Sequence, residues 1–227
     1  MSEFHKKYVD NIKPYFATKD QDDERLLNTI NKFLKFNNLK KIEKDTKLLD
    51  LGSGPGSFVN VCKKKGVFAK GLDAGNNNIN LEIDKINEND KSYDFISMIN
   101  LIEHLKTHKN VMNDIKRLLK DDGLLLIMTP NFKYCYKKFY DDPTHVTPFT
   151  NKSIKEFLKL YDFYEISNVP FLVDKSLFFW KNKFKYLLAS LLPFTHHEHL
   201  DSILIPKFLR GKSTSMISVS KIKNNES

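Results

Sequence analysis

The chain has 227 residues, which suits one α/β domain over 1–227 with a sizeable buried core. Its net charge of +9 is spread along the sequence, and no cluster of arginine with aromatic residues marks a nucleic-acid module. The two cysteines, Cys62 and Cys135, form no metal-binding pair, and residues 186–194, the longest apolar stretch near the C-terminus, are too few to cross a membrane. Because the chain also opens without a signal-peptide pattern, we predict a cytoplasmic protein with reduced thiols.

The first predicted element is a helix over 20–37, within an N-terminal helical region at 1–44, because leucine, isoleucine and phenylalanine recur there at helical spacing. Further helices are predicted at 57–65, 110–119 and 153–160. Strands are predicted at 47–51, 67–72, 79–83, 93–99, 124–129, 164–169 and 215–220. This order predicts a Rossmann-like α/β fold: a seven-stranded, mostly parallel sheet with helices on both faces and an antiparallel last strand.

Before that last strand lies a predicted helical insertion at 174–212, where apolar runs alternate with lysines. Such a segment suits a substrate lid, a dimer interface or an element that lies on an anionic membrane surface. A helical pair that simply packs on the sheet and closes the core is an equally good interpretation. The sequence leaves these four alternatives, and the oligomeric state, open.

A glycine-rich turn follows the first strand, where Asp50 precedes Gly52, Gly54 and Gly56 at alternate positions. Glycines at such a turn let the backbone bend tightly and let a ligand approach. Asp73 ends the second strand 19 residues after Gly54 (73 − 54), near the interval at which a carboxylate meets ribose hydroxyls. The alternatives are a turn without a ligand and, for Asp73, a helix cap or a solvated carboxylate. A dinucleotide site is disfavoured because Ser57 stands where its third glycine is expected.

The acidic glycine-rich loop resembles the first motif of the class I S-adenosylmethionine (SAM)-dependent methyltransferases. Residues 93–98, the Glu103-His104-Leu105 segment and the turn at 118–127 resemble later motifs of that family, in the same order. The resemblance implies a methyltransferase whose cofactor is SAM. It assigns cofactor binding to Asp50, Gly52, Ser53, Gly54, Gly56, Asp73, Asp84 and Asn100. Asp84 reads equally well as an exposed loop residue.

Two histidines lie where a methyl acceptor is expected. His104 follows the strand at 93–99, and His145 lies in the loop after 124–129, so both belong to the carboxyl edge of the sheet. Histidine is the natural base for a hydroxyl acceptor, and we choose His145 first and His104 second. The alternatives are that Glu103 and His104 only shape the pocket and that His145 bonds backbone groups.

Glu103, His104 and His145 also resemble the metal-binding arrangement of ubiquinone-biosynthesis O-methyltransferases and small-RNA 2′-O-methyltransferases. Those families begin the motif with a glutamate, where this chain has Asn100. The resemblance therefore implies, with one carboxylate missing, a divalent ion such as Mg²⁺ that polarises the acceptor hydroxyl.

The resemblance as a whole implies a SAM-dependent methyltransferase. The segment Asp142-Pro143-Thr144-His145 resembles methyltransferases encoded with glycan assembly enzymes, which favours a hydroxyl of a sugar, a glycan or another small metabolite as the acceptor. An RNA 2′-O-methyltransferase is the enzymatic alternative, although nucleic acid is the less favoured partner. The alternative from another class is a non-catalytic cofactor-fold protein that binds a partner through 174–212.

Overall fold

The structure is a computed structural model and describes residues 20–74, 79–82, 84–171, 194–196 and 210–223. The strands are β1 Lys47–Leu51, β2 Phe68–Leu72, β3 Tyr93–Ile99, β4 Leu119–Pro130, β5 Phe163–Pro170, β6 Phe194–His196, β7 Arg210–Ser213 and β8 Ser215–Ile222. The helices are α1 Asp20–Phe36, α2 Ser57–Lys64, α3 Lys109–Leu118, α4 Phe132–Cys135 and α5 Asn151–Leu160, with 3₁₀ turns at Ile102–His104 and Phe139–Asp141.

A six-stranded sheet in the order β2-β1-β3-β4-β8-β5 forms the centre of the fold. Strands β1 to β4 are parallel, and β8 runs antiparallel between β4 and β5. The chain leaves β1 toward β2 on one side and later returns with β3 on the other side. The carboxyl ends of β1 and β3 therefore form the topological switch point at which open α/β sheets bind ligands.

Both faces of the sheet are covered by apolar side chains. Leu48 and Leu49, adjacent in β1, belong to two different core clusters because successive side chains of a strand point to opposite faces. Residues of α1 and α2 fill the cluster on the Leu48 face. Residues of α3 and α5 fill the cluster on the Leu49 face. The predicted α/β class, with helices on both faces, is confirmed.

The predicted strand at 79–83 is wrong over its described residues, because 79–82 form loop and turn. The described residues form a six-stranded sheet, so the predicted seventh strand is not confirmed. The backbone N–H of Asp84 donates to the carbonyl oxygen of Asn80, and that of Asn80 to the Asp84 carboxylate, both at 2.7 Å. Backbone groups used in such a local turn cannot pair with a neighbouring strand. The other six predicted strands match observed strands, and β4 begins earlier, at Leu119.

The predicted insertion at 174–212 lies largely outside the described residues. Its described parts contribute to β6 and β7, which pair in parallel as a separate two-stranded sheet. Of the N-terminal region, residues 20–44 are described and contain α1. Within the described part of the chain, no helix is long and apolar enough to cross a membrane.

Candidate active site

The glycine-rich turn between β1 and α2 has the backbone that its sequence predicts. Gly52, Gly54 and Gly56 all have positive φ, at 73°, 53° and 84°. The N–H groups of Gly52 and Ser53 donate to the carbonyl oxygen of Leu72, which joins the turn to the end of β2. At Gly52 a Cβ atom would lie 2.8 Å from Cδ1 of Leu101, so glycine lets the chain after β3 pack against the loop.

The other two glycines leave space beside the loop. Among the described residues, a Cβ atom at Gly54 or Gly56 would meet nothing within 4 Å. The N–H of Gly54 donates to Oδ2 of Asp73 at 3.0 Å, which fixes the carboxylate next to this space. Because a carboxylate accepts about four hydrogen bonds, Asp73 can hold the loop and still accept ribose hydroxyls. The residues present therefore fit SAM, and their individual roles stay predictions.

Asp50, at the carboxyl end of β1, is buried and accepts a 2.6 Å hydrogen bond from Ser97 on β3. Burial is the largest influence on this carboxyl and raises its pKa to about 7, with smaller contributions from the charges of Asp23 and Asp73, although the Ser97 bond opposes the rise. Three carboxyl groups therefore share the cofactor side of the sheet. A cationic ligand such as SAM relieves their mutual repulsion.

The last two predicted cofactor residues lie at the edges of this region. Asn100 follows β3 with a φ of 51°, and its N–H donates to the carbonyl oxygen of Met128. Its side chain is exposed at the switch point, where a ligand can reach it. Asp84 is exposed in the turn that it forms with Asn80. Adenine binding by Asp84 stays a prediction.

Glu103 lies on the 3₁₀ turn after β3 and is fully buried. Its Oε2 accepts a hydrogen bond from the Thr129 hydroxyl at 2.9 Å, whereas the buried Oε1 has no hydrogen-bond partner in the described part of the chain. Burial raises the pKa of Glu103 to about 7, the charge of Asp142 adds to the rise, and hydrogen bonds from its own N–H and from Thr129 oppose it. Its backbone oxygen accepts from the N–H groups of Val146 and Thr147, which fastens the loop after β4 beside the turn.

That loop brings His145 next to His104, with 4.7 Å between the ring centroids. Nδ1 of His145 donates to the carbonyl oxygen of Phe139 at 2.6 Å. A neutral imidazole with its proton on Nδ1 carries its lone pair on Nε2, so His145 can accept a proton there. Nε2 also lies 3.9 Å from Oδ2 of Asp142, which would stabilise the protonated ring.

The predicted catalytic residues Glu103, His104 and His145 are therefore brought together. One ligand atom of each lies within 4.8 Å of those of the other two. Leu101, in contact range of Gly52, joins this cluster to the glycine-rich loop. Two imidazoles and one carboxyl beside a cofactor loop can remove a proton from an acceptor or hold a divalent ion. Which of these they do stays a prediction.

Several polar residues of the site were absent from the sequence prediction. Asp23 contributes charge beside Asp50, Thr129 bonds Glu103, and Thr144 bonds His104. Asp23 lies in α1, and Thr129 ends a strand, where nothing in the local pattern separates them from other polar residues. Thr144 could have been found from the run Asp142-Pro143-Thr144-His145, because short polar side chains beside a histidine often orient its ring.

Comparisons with known proteins agree with this geometry. A family model described as a methyltransferase domain matches residues 18–168, about two thirds of the chain. No curated protein sequence matches the chain.

Among solved structures, the chain is similar to a SAM-dependent methyltransferase from Archaeoglobus fulgidus, with 18% identity, a TM-score of 0.56 and coverage of 91% of this chain and 99% of that one. A SAM-dependent methyltransferase from Thermotoga maritima has 14% identity, a TM-score of 0.55 and coverage of 98% and 100%. Identities this low support the fold alone, whereas the match to the family model shows that the chain belongs to the family. The chain belongs to the methyltransferase domain family and is a class I SAM-dependent methyltransferase.

Proposed function

We propose that the enzyme methylates a hydroxyl group of a sugar, a glycan or another small metabolite. The observation that carries this proposal is the state of His145, whose Nδ1 donates to the carbonyl oxygen of Phe139 and leaves the lone pair on Nε2. A hydroxyl loses its proton when it becomes an ether, so its methylation needs a nearby proton acceptor. His145 supplies one beside the cofactor loop.

In the proposed reaction, SAM held by the glycine-rich loop and Asp73 would supply an electrophilic methyl group bound to a positively charged sulfur. His145 Nε2 would take the proton that the acceptor hydroxyl loses when its oxygen displaces that sulfur from the methyl carbon. The resulting imidazolium is stabilised by Asp142, whose Oδ2 lies 3.9 Å from Nε2. Release of that proton to solvent returns the base to its starting state.

Exposed tyrosines in the segment that carries the base support a sugar-like acceptor. Tyr140 and Tyr136 lie in the segment after β4 that also contains His145, and they are 59% and 57% exposed. Tyr140 is held edge-on by Phe139 and Phe132, with centroid distances of 5.0 and 6.3 Å. Aromatic faces held in this way can stack against the C–H groups of a sugar ring.

Replacement of the base tests the proposal. We expect His145→Asn to lower kcat about 100-fold or more, with SAM affinity unchanged, because asparagine cannot take the proton. Turnover of sugar, glycan and phenol acceptors is followed by release of S-adenosylhomocysteine, and SAM binding by calorimetry. An unchanged kcat for His145→Asn on the best acceptor would rule out this residue as the base.

An RNA 2′-O-methyltransferase is a second candidate, favoured by the grouping of Glu103, His104 and His145. Their donor set fits a divalent ion: Oε1 of Glu103 is buried without a partner, and His145 carries its lone pair on Nε2. Two imidazoles favour Fe²⁺ or Zn²⁺ over the Mg²⁺ expected from the sequence. A bound ion would lower the pKa of an acceptor hydroxyl.

Chelation, combined with a comparison of small-hydroxyl and RNA acceptors, separates the two candidates. An enzyme that methylates a small hydroxyl through His145 alone keeps its turnover after treatment with a chelator. Metal-dependent methylation of RNA, with binding that weakens steeply as salt rises, would instead support the second candidate.

The cellular location and the remaining partners stay predictions. A cytoplasmic location is supported by Cys62 and Cys135, which are both free thiols. Contact with a membrane surface through 174–212 is a proposal that rests on the sequence of that segment. Membrane and soluble fractions of expressing cells, separated at low and at high salt and probed with an antibody to the protein, would test both.

A further inference from the structure

A chain of hydrogen bonds links Asp142 to His104 through Thr144. The Thr144 hydroxyl donates to Oδ1 of Asp142 at 2.6 Å and lies 2.8 Å from Nδ1 of His104. The backbone N–H of Thr144 donates to the same carboxylate oxygen at 2.9 Å. Two hydrogen bonds therefore hold Thr144 in place between the carboxylate and the ring.

The direction of the last bond follows from counting protons. A hydroxyl has one proton, and an ionised carboxylate only accepts, so the Thr144 proton goes to Asp142. Toward His104 the hydroxyl oxygen can then only accept. Nδ1 of His104 must carry the proton of the neutral ring, and its lone pair must lie on Nε2.

We infer that Asp142 and Thr144 are positioning residues that hold His104 in the tautomer with its proton on Nδ1. A neutral histidine in water prefers its proton on Nε2, so the Nδ1 tautomer has to be imposed by the neighbours. His145 receives the same tautomer from a different partner, the carbonyl oxygen of Phe139. Both rings of the pair therefore present Nε2 as an acceptor.

The consequence for catalysis rests on the proposed function. Asp142 acts on both rings, through Thr144 on His104 and at 3.9 Å on Nε2 of His145. With Nε2 as an acceptor, His104 can receive a hydrogen bond from an acceptor hydroxyl or bind a divalent ion. With a proton on Nε2, it could do neither.

Nitrogen-detected NMR of the full-length protein measures the tautomer directly. The protein is labelled with ¹⁵N-histidine at a pH where its histidines are neutral, and His104 is assigned by its loss in His104→Gln. We expect Nε2 of His104 to have the shift of an unprotonated nitrogen in the wild type and in Thr144→Ser. Thr144→Val cannot accept from Nδ1, and we expect it to move the proton largely to Nε2.

Thr147→Val is the matched control. The Thr147 hydroxyl donates to the carbonyl oxygen of Leu105 at 3.1 Å in the same loop, and the substitution leaves the bonds of His104 intact. If Thr144→Val fails to fold, Asp142→Ala serves instead, because the Thr144 proton is then released to donate to Nδ1. A protonated Nε2 in the wild type, or an unchanged tautomer in the folded variant, would overturn the inference.

Activity then separates this inference from the proposed function. We expect Thr144→Val to lower kcat about 10-fold or more with little change in SAM affinity, and Thr144→Ser to restore most of it. A variant whose tautomer changes while kcat stays at the wild-type value would uphold the positioning role. It would at the same time remove His104 from the catalytic mechanism.

Discussion

The two halves of the candidate site, the predicted cofactor half and the predicted acceptor half, are built in different ways. The cofactor half consists mainly of backbone, because the turn from Gly52 to Gly56 lies between β1 and α2 and is tied to Asp73 at the end of the next strand. The acceptor half consists of side chains from distant segments, with His104 and Thr144 joined across 40 residues. One half is a local property of one strand–helix–strand unit, and the other depends on the packing of a loop.

This difference predicts different responses to substitution. A glycine that is needed for its backbone conformation has no tolerated replacement, whereas a positioning side chain can be exchanged for one that keeps its hydrogen bond. The cofactor half should therefore fail as a unit. The acceptor half should lose function in graded steps.

The largest effect is expected at Gly52, where the two halves touch. We predict that Gly52→Ala lowers the free energy of unfolding by about 2 kcal/mol and SAM affinity by about 100-fold or more. Alanine is strained at a φ of 73°, and its Cβ would lie 2.8 Å from Leu101. Urea denaturation and calorimetric titration with SAM measure the two quantities.

Gly66→Ala is the control for backbone strain alone. Gly66 has a φ of 80° and lies outside the cofactor loop, and an added Cβ would lie 3.0 Å from the flexible side chain of Lys44. We expect a similar loss of stability with SAM affinity retained. Equal affinities for Gly52→Ala and the wild type would contradict a cofactor half built from backbone.

An effect in the opposite direction, toward greater stability, is expected at Asp50. Its pKa is raised from 3.8 to about 7, chiefly by burial, so the folded state favours the protonated form. The contribution of the Asp50 carboxyl to the free energy of unfolding is then complete below pH 3.8 and is lost as the pH rises through about 7. We predict that Asp50→Asn, which is always neutral, is more stable than the wild type by up to about 4 kcal/mol at pH 8, because each pKa unit corresponds to about 1.4 kcal/mol.

Asp94 provides a control of opposite sign. Burial alone would raise its pKa, but hydrogen bonds from Lys120 and from the N–H of Lys47 outweigh it and hold the pKa below 3.8. Its ionised form stabilises the fold above that pH, and the contribution disappears as the pH falls. Asp94→Asn should therefore be less stable than the wild type at pH 8. Denaturant titrations from pH 4 to pH 8 measure both variants, and parallel curves for Asp50→Asn and the wild type would refute the prediction.

The smallest effect is expected on the acceptor half, at Tyr140. We predict that Tyr140→Ala raises the acceptor KM about 5-fold with kcat nearly unchanged, because an aromatic contact contributes about 1 kcal/mol. Tyr140→Phe keeps the ring and should behave as the wild type. Tyr164→Ala removes a tyrosine that is 46% exposed on β5 and should have no effect. Initial rates at saturating SAM decide, and equal KM values for all three variants would exclude stacking on Tyr140.

The sequence predicted most of the sheet because its buried strands are continuous apolar runs. Leu48 and Leu49 in β1 face opposite cores, and a run that is apolar on both faces is recognisable without its neighbours. The prediction at 79–83 failed because it too relied on a local pattern. Its alternation of polar and apolar residues is typical of a strand, but Glu82 instead accepts from the N–H groups of Lys106 and Thr107, a tertiary contact that no local pattern contains.

For the site, residue types and their spacing were enough to predict the backbone of the cofactor half. Positive φ at Gly52, Gly54 and Gly56 is a property of residue type at fixed spacing, and Asp73 follows at the end of the next strand. The tautomers of the two histidines depend instead on tertiary contacts, because each is set by the atom that faces Nδ1. Those atoms, the Thr144 hydroxyl oxygen and the Phe139 carbonyl oxygen, take their places when the loop after β4 bonds to the backbone of Glu103.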